Sequence, residues 1–303
     1  MEIVVIGAGS LGTLIGGLLA RKHAVTLVGR GPHMAAIQKN GLNITGAIDE
    51  QTYPQAVTDA TGADAALAVV TVKTYDTASA IEVIKSGSYQ AVLSLQNGLT
   101  EEQLAAAIDA EVLAGTVTYG AQHTEPGRVT CTGIGEVVLG AHGGGKSSHA
   151  DRAGDAFDQC GINTIVGTDM PTRRWKKVAV NAGINPVTAL ARVKNGALQS
   201  EPLRTIARQA TKESARTARQ SGVPLSNREA IAELERVVTA TAANRSSMLQ
   251  DVDAGKRTEI DAICGVVRER ADRYGVDVPM TKTLLGLIRG WEKENEVRES
   301  TDD

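Results

Sequence analysis

The chain has 303 residues, room for about two domains of ~150 residues each. It is 42% hydrophobic and 22% charged, and 32 Lys and Arg against 35 Asp and Glu leave a formal net charge of −3. That balance argues against a nucleic-acid binder, which draws duplex affinity from clustered basic residues, and two Trp, five Tyr and one Phe leave little for stacking bases.

Residues 2–6 (EIVVI) read as a short buried strand. A glycine-rich turn follows at 7–12, and 11–22 places Leu11, Leu14, Ile15, Leu18 and Leu19 at helical spacing. The next strand is 24–28, which completes a strand–helix–strand unit. Apolar runs at 66–72, 91–95 and 112–117 predict further strands, with helices at 77–85 and 101–108 between them. This alternation predicts a mostly parallel, doubly wound sheet. Residues 128–132 and 136–139 read as two short strands joined by a Gly-containing turn, 142–148 as a surface loop, 150–160 as a helix and 163–166 as a strand. The loop has a run of glycines but lacks phosphate-loop spacing. After 167–171 the strands stop and 172–296 is helical in pattern. Breaks are expected near Asn185-Pro186, Asn195-Gly196, 221–224, Gly255 and 275–279. The charge-rich 292–303 segment is expected to be frayed or solvated. The fold class is α/β, an N-terminal Rossmann-type doubly wound sheet followed by an all-α C-terminal domain, with domain ranges 1–169 and 170–303.

Gly7-Ala8-Gly9-Ser10-Leu11-Gly12 is a GxGxxG turn between a strand and a helix. The first glycine allows the tight turn, the second lets a pyrophosphate approach the backbone, and the third lets the helix pack on the strand. The helix start offers free N–H groups and partial positive charge to phosphates. Gly7, Gly9, Ser10, Leu11 and Gly12 are therefore candidate dinucleotide-binding residues. The second strand ends Val28-Gly29-Arg30, without the carboxylate that a ribose 2′-OH would want. Arg30 suits a 2′-phosphate, so NADPH is the expected cofactor, with NADH the alternative. Lys73 and Asn97 follow two further strands, at the carboxyl ends where ligands bind in such sheets.

In the helical half, Lys177, Asn181 and Asn185 recur every four residues and form one polar stripe among Val178, Ala179, Val180, Ala182 and Ile184. Buried polar groups need partners, which a ligand rich in oxygens or an interhelical network would supply. Ser247 and Asp251 are helical neighbours, and Gly255 ends their helix. Thr258 or a neighbour then caps a new helix with Glu259 in its first turn. Glu259 either favours that helix start or points at the ligand cleft and pairs with a lysine.

Taken together, these segments resemble the ketopantoate reductase family. The stretches that carry the resemblance are 175–195 (WKKVAVNAGINPVTALARVKN) and 246–261 (SSMLQDVDAGKRTEID), with GAGSLG, Val72-Lys73 and Gln96-Asn97-Gly98 in the family's order. The resemblance implies NADPH-dependent reduction of 2-dehydropantoate to (R)-pantoate, on the way to pantothenate and coenzyme A. It implies Lys177 as the catalytic lysine and Glu259 as the catalytic glutamate. Asn97, Asn181, Asn185, Ser247 and Asp251 match substrate positions, Lys73 matches the cofactor–substrate junction and Arg30 the 2′-phosphate. Asn97 also falls beside the cofactor. The alternatives are another two-domain NAD(P)-dependent 2-keto or hydroxy acid dehydrogenase, and a non-catalytic dinucleotide sensor.

Cys131, Cys160 and Cys264 are widely spaced and predict no disulfide framework, which fits a reducing compartment. No His or Cys spacing predicts a metal site, and no membrane partner is expected. The chain opens as a strand, and a cytoplasmic protein is expected. His123 reads as structural. Ile231, Leu234, Val237 and Val238 offer an apolar face for pairing subunits or for packing within the domain, and a homodimer is the expected assembly.

Overall fold

The structure is a computed structural model and describes residues 1–298; the end of the charge-rich tail, 299–303, lies outside them. Two compact units form, one of residues 1–96 with 100–171, the other of 97–99 with the chain from Thr172 onward.

The first unit starts at β1 (Glu2–Ile6). Ile3 and Val5 pack into one hydrophobic cluster and Val4 and Ile6 into another, so this strand is covered on both faces. α1 (Ser10–Leu19) and β2 (Ala24–Val28) complete the strand–helix–strand unit, with β2 parallel to β1. The chain continues through α2 (Gly31–Asn40), β3 (Leu42–Gly46), β4 (Glu50–Thr52), β5 (Gln55–Val57), β6 (Asp64–Val70), α3 (Thr77–Lys85) and β7 (Ser88–Ser94). Then follow α4 (Glu101–Ala107), β8 (Glu111–Val117), β9 (Gly120–Glu125), β10 (Arg128–Gly133), β11 (Val137–Ala141), α5 (Ser148–Gln159) and β12 (Thr164–Val166). The main sheet has eight strands in the order β12-β11-β8-β7-β6-β1-β2-β5. Its neighbours are parallel except β8 and β11. One face is covered by α1, α5 and the chain's single phenylalanine, Phe157, and the other by α3 and α4.

Two expectations need correction in this unit. The strands at 128–132 and 136–139 do not pair with each other. β10 joins a separate four-stranded sheet, β4-β3-β10-β9, while β11 pairs with β8 and β12 in the main sheet. Burial explains the split. The first four residues of β11 are buried in succession, which suits a strand covered on both faces, whereas β10 alternates buried with more exposed residues. The strand expected at 66–72 ends at Val70, so Lys73 stands three residues beyond it, before a short 3-10 turn at Thr74–Asp76.

α6 (Met170–Ala191) begins in the first unit and continues into the second. The second unit adds α7 (Leu203–Gln220), α8 (Asn227–Ala240), α9 (Ser247–Asp253), α10 (Val266–Tyr274) and α11 (Pro279–Glu294). α6 is its central helix: Val178 and Ala179 join one cluster, Val180, Ile184 and Val187 a second, Ala182 and Ala189 a third. A helix buried this fully explains why its apolar residues crowd every side of the polar stripe. The break expected at Asn185-Pro186 is absent, because the helix runs through Pro186. Proline forfeits one backbone bond, and burial on both sides outweighs that loss.

Ile231, Leu234 and Val238 are buried against Val180, Ile184 and Leu284, with Val237 packed on the same cluster. That face therefore packs within the unit. The charge-rich end is solvated at 293–296 as expected, but it does not fray from residue 292. α11 extends to Glu294, Glu292 is fully buried, and the Arg298 side chain is 4% exposed against it. Among the described residues no helix is long and apolar enough to cross a membrane, and all three cysteines are free thiols in buried positions.

Candidate active site

In the first unit, the predicted turn sits at the carboxyl end of β1, where the chain reverses its direction of progress across the sheet. Gly7 has φ +107, a conformation that favours glycine, and its N–H bonds the Val28 carbonyl at 3.0 Å. A Cβ on Gly12 would lie 2.2 Å from the Gly7 carbonyl oxygen and 2.3 Å from the Thr71 hydroxyl. Thr71 in turn donates to the Gly7 carbonyl at 2.9 Å, locking turn to strand end. Gly9 differs. Its backbone is extended, φ −82 and ψ −161, and a Cβ there would meet no protein atom within 4 Å. Neither backbone strain nor packing requires glycine at that place, which leaves room for a ligand to approach the backbone.

Ser10 and Leu11 form the first turn of α1 and are half-buried. Arg30 is exposed and immediately precedes α2. Lys73 is half-buried beyond β6. Gln96, two residues past β7, donates to the Val72 carbonyl at 3.1 Å and to the Thr77 hydroxyl at 2.9 Å. That buried amide ties the segment carrying Lys73 to the strand that leads into Asn97.

In the second unit, α6 carries Lys177 and Asn181, both half-buried, and Asn185, which is 5% exposed. Thr188, one turn on, bonds the Ser246 hydroxyl at 2.7 Å, and Ser246 caps α9 by accepting from Leu249 N at 3.1 Å. This buried pair sets α9 against α6. Ser247 is exposed and Asp251 half-buried on that helix. Gly255, φ +59, follows its end as predicted. Glu259 is 7% exposed, and the Asn97 amide donates to its Oε2 at 2.8 Å. Residues 97–99 belong to this unit, and a Cβ on Gly98 would lie 2.5 Å from the Ala262 carbonyl oxygen, so the Asn97-Gly98 turn and the Glu259 segment are closely apposed. Sequence spacing does not reveal the Asn97–Glu259 bond, because 162 residues separate the partners.

The Glu259 segment is anchored on both sides. Thr258 donates both its N–H, at 2.8 Å, and its hydroxyl, at 2.6 Å, to Glu292 Oε1. Thr258 Oγ1 also accepts from Ile260 N at 3.2 Å, but the helical turn starts only at Asp261, with Ile260 at its cap position and no side-chain cap, so Glu259 precedes the helix and does not lie in its first turn as expected. Two residues past Glu259, Asp261 accepts from Arg289 and Arg298 and opens a π-helical turn, Asp261–Gly265, that leads into α10. Glu292→Ala is expected to cost about 3 kcal/mol, because it strands the buried Thr258 donors and removes a partner of Arg298. Urea denaturation measures it, and a loss below about 1 kcal/mol would contradict this anchoring.

The residue pattern gave no sign of His33. It lies in the first turn of α2, 6% exposed, and bonds the Thr13 hydroxyl at 3.0 Å. Burial, with His123 beside it, lowers its pKa from 6.5 to about 4. Between those values the folded chain binds fewer protons there than the unfolded chain. Stability therefore falls as pH drops from 6.5 towards about 4, with a slope of at most about 1.4 kcal/mol per pH unit, and the loss is complete below that window. Denaturant titrations across this range should show that slope in the wild type and lose it in His33→Leu.

A doubly wound sheet with a GxGxxG turn, joined to a helical unit bearing a lysine, a buried carboxylate and amides, places the chain among the two-part oxidoreductases. Comparison with known proteins narrows the class. A family model described as ketopantoate reductase PanE/ApbA matches residues 3–144, and its C-terminal counterpart matches residues 169–292. The chain is 42% identical over 299 residues to the 2-dehydropantoate 2-reductase of Halobacterium salinarum, covering 95% of this chain and 98% of the relative. It is 35% identical to that of Archaeoglobus fulgidus, covering 96% and 98%. A PanE/ApbA family ketopantoate reductase from Ralstonia eutropha superposes with a TM-score of 0.89 at 31% identity, over 98% of this chain and all of the other. The chain belongs to the ketopantoate reductase family.

Proposed function

We propose that the protein catalyses NADPH-dependent reduction of 2-dehydropantoate to (R)-pantoate, a step towards pantothenate and coenzyme A. The observation that carries this reading is Glu259, a carboxylate 7% exposed and held by the Asn97 amide, in a chain alike over its length to named 2-dehydropantoate 2-reductases. Gly7, Gly9, Ser10, Leu11 and Gly12 would hold the pyrophosphate; the open space at Gly9 fits that role. Exposed Arg30 would take the 2′-phosphate and Lys73 the cofactor–substrate junction. When bound, the reduced nicotinamide supplies the hydride for the ketone carbon.

The chain's own residues do the rest. As carbon–oxygen π electrons move onto the ketone oxygen, the Lys177 ammonium stabilises the growing negative charge and gives its proton to that oxygen. Glu259 favours the charged form of the lysine. Asn97, Asn181, Asn185 and Ser247 donate hydrogen bonds to the substrate carboxylate and hydroxyl, and Asp251 accepts from a hydroxyl. Neutral donors orient a small monocarboxylate without burying another unpaired charge. A homodimer in the cytoplasm completes the proposal; the three free thiols fit a reducing compartment.

The experiment is oxidation of NADPH and of NADH with 2-dehydropantoate, in the wild type and in Arg30→Ala. The wild type should prefer NADPH. The variant should raise KM for NADPH about tenfold, the loss of one charge-assisted contact, and leave NADH unchanged. No oxidation of either cofactor overturns the reading of the reaction. An equal effect on both overturns the role of Arg30.

A further inference from the structure

We propose that His33 is a positioning residue of the dinucleotide turn, tying the start of α1 and the Arg30-bearing start of α2 to the β9–β10 hairpin. The inference rests on the dinucleotide reading above and adds a part that lies outside the GxGxxG motif.

His33 stands at the junction of three elements. Its own N–H bonds the Arg30 carbonyl at 3.1 Å, in the first turn of α2. Its ring Nε2 lies 3.0 Å from Oγ1 of Thr13, which is fully buried in α1 and whose N–H bonds the Gly9 carbonyl at 2.9 Å. Its ring Nδ1 lies 3.0 Å from Gly127 N and 3.0 Å from His123 Nε2, both in the β9–β10 hairpin. The two imidazoles meet edge to face, centroids 4.4 Å apart at 79°.

These contacts select one protonation pattern. A backbone N–H only donates, so Nδ1 of His33 accepts from Gly127. Nε2 of a neutral ring then carries the proton and donates to Thr13, and Nε2 of His123 shares with Gly127 N the single lone pair of Nδ1 in a three-centre contact. The chain closes on the turn itself, because His123 N donates to the Ser10 hydroxyl at 3.0 Å. Ser10 spends a lone pair there and keeps its proton to give. The buried ring, on the α2 turn that also carries Arg30, thus holds Thr13 directly, reaches Gly9 through the Thr13 N–H, and reaches Ser10 through His123. Groups that bind phosphates work only when held within a few tenths of an ångström, and a rigid outer contact is the usual means.

The test compares His33→Leu, His33→Asn and His33→Gln. Leucine removes every ring contact. Asparagine keeps an acceptor near the Nδ1 position, and glutamine a donor near Nε2. NADPH affinity is measured by calorimetry on the protein without substrate, beside the melting temperature and the split between kcat and KM. Expected are about tenfold weaker NADPH binding in the leucine variant, partial recovery in the asparagine or glutamine variant, and kcat at saturation within about twofold of wild type. Wild-type binding of NADPH checks the dinucleotide reading separately; its absence overturns that reading and, with it, this inference. If the wild type binds and the leucine variant binds within about twofold of it, the positioning role alone is overturned. Should the leucine variant fail to fold, the other two decide the matter. Weaker binding in either, at a wild-type melting temperature, supports the role, and any other pattern overturns it.

Discussion

Lys177→Ala is expected to lower kcat about a thousandfold while NADPH binds within about twofold of wild type. The reason lies in where charge grows. The ketone oxygen is neutral in the bound substrate and acquires negative charge only as the new C–H bond forms. A group that meets that charge stabilises the transition state far more than the ground state, so its loss falls on kcat. The dinucleotide residues of the glycine turn, with Arg30 and Lys73, belong to the other unit and should keep their affinity. Lys177→Arg sharpens the expectation. Arginine retains the charge but does not give up its proton at neutral pH, so it should rescue little. Turnover within about tenfold of wild type in the alanine variant would remove Lys177 from its role.

The second large effect separates two glycines of one turn. Gly12→Ala places a Cβ 2.2 Å from the Gly7 carbonyl oxygen and 2.3 Å from the Thr71 hydroxyl, where backbone must shift to make room. A loss of about 1–3 kcal/mol in stability is expected, with cofactor binding lost alongside it. Gly9→Ala meets no protein atom within 4 Å, and its φ of −82 is ordinary for alanine. Its melting temperature should match the wild type while NADPH affinity falls by about tenfold or more, because the added methyl occupies the space the pyrophosphate needs. Thermal melts and calorimetry on the same samples measure both. Wild-type NADPH affinity in Gly9→Ala would mean that the turn does not hold the pyrophosphate.

What the sequence revealed follows from how local each signal is. β1, α1 and β2 are legible because apolar period and glycine turn lie within about 28 residues and agree with one another. β4 (EQT) and β5 (QAV) are three residues each, too short for any period to register. They form because neighbouring strands offer them an edge. The stripe of Lys177, Asn181 and Asn185 is visible because helical spacing is local. The bond from Asn97 to Glu259 is not, since only folding brings the two together. Glu292 departs from its local charge pattern for a related reason. A run of charges usually marks a solvated end, yet here one carboxylate is buried to accept the Thr258 donors. No local pattern marks His33, because its partners Thr13, His123 and Gly127 come from distant elements.

The most direct measurement of the central claim uses NADPH deuterated at the transferable position of the nicotinamide, incubated with the protein and 2-dehydropantoate. Mass spectrometry then follows the label. The deuterium is predicted to appear on the carbinol carbon of (R)-pantoate, in step with loss of NADPH absorbance. Consumption of NADPH without labelled pantoate, or no consumption at all, would contradict the assignment.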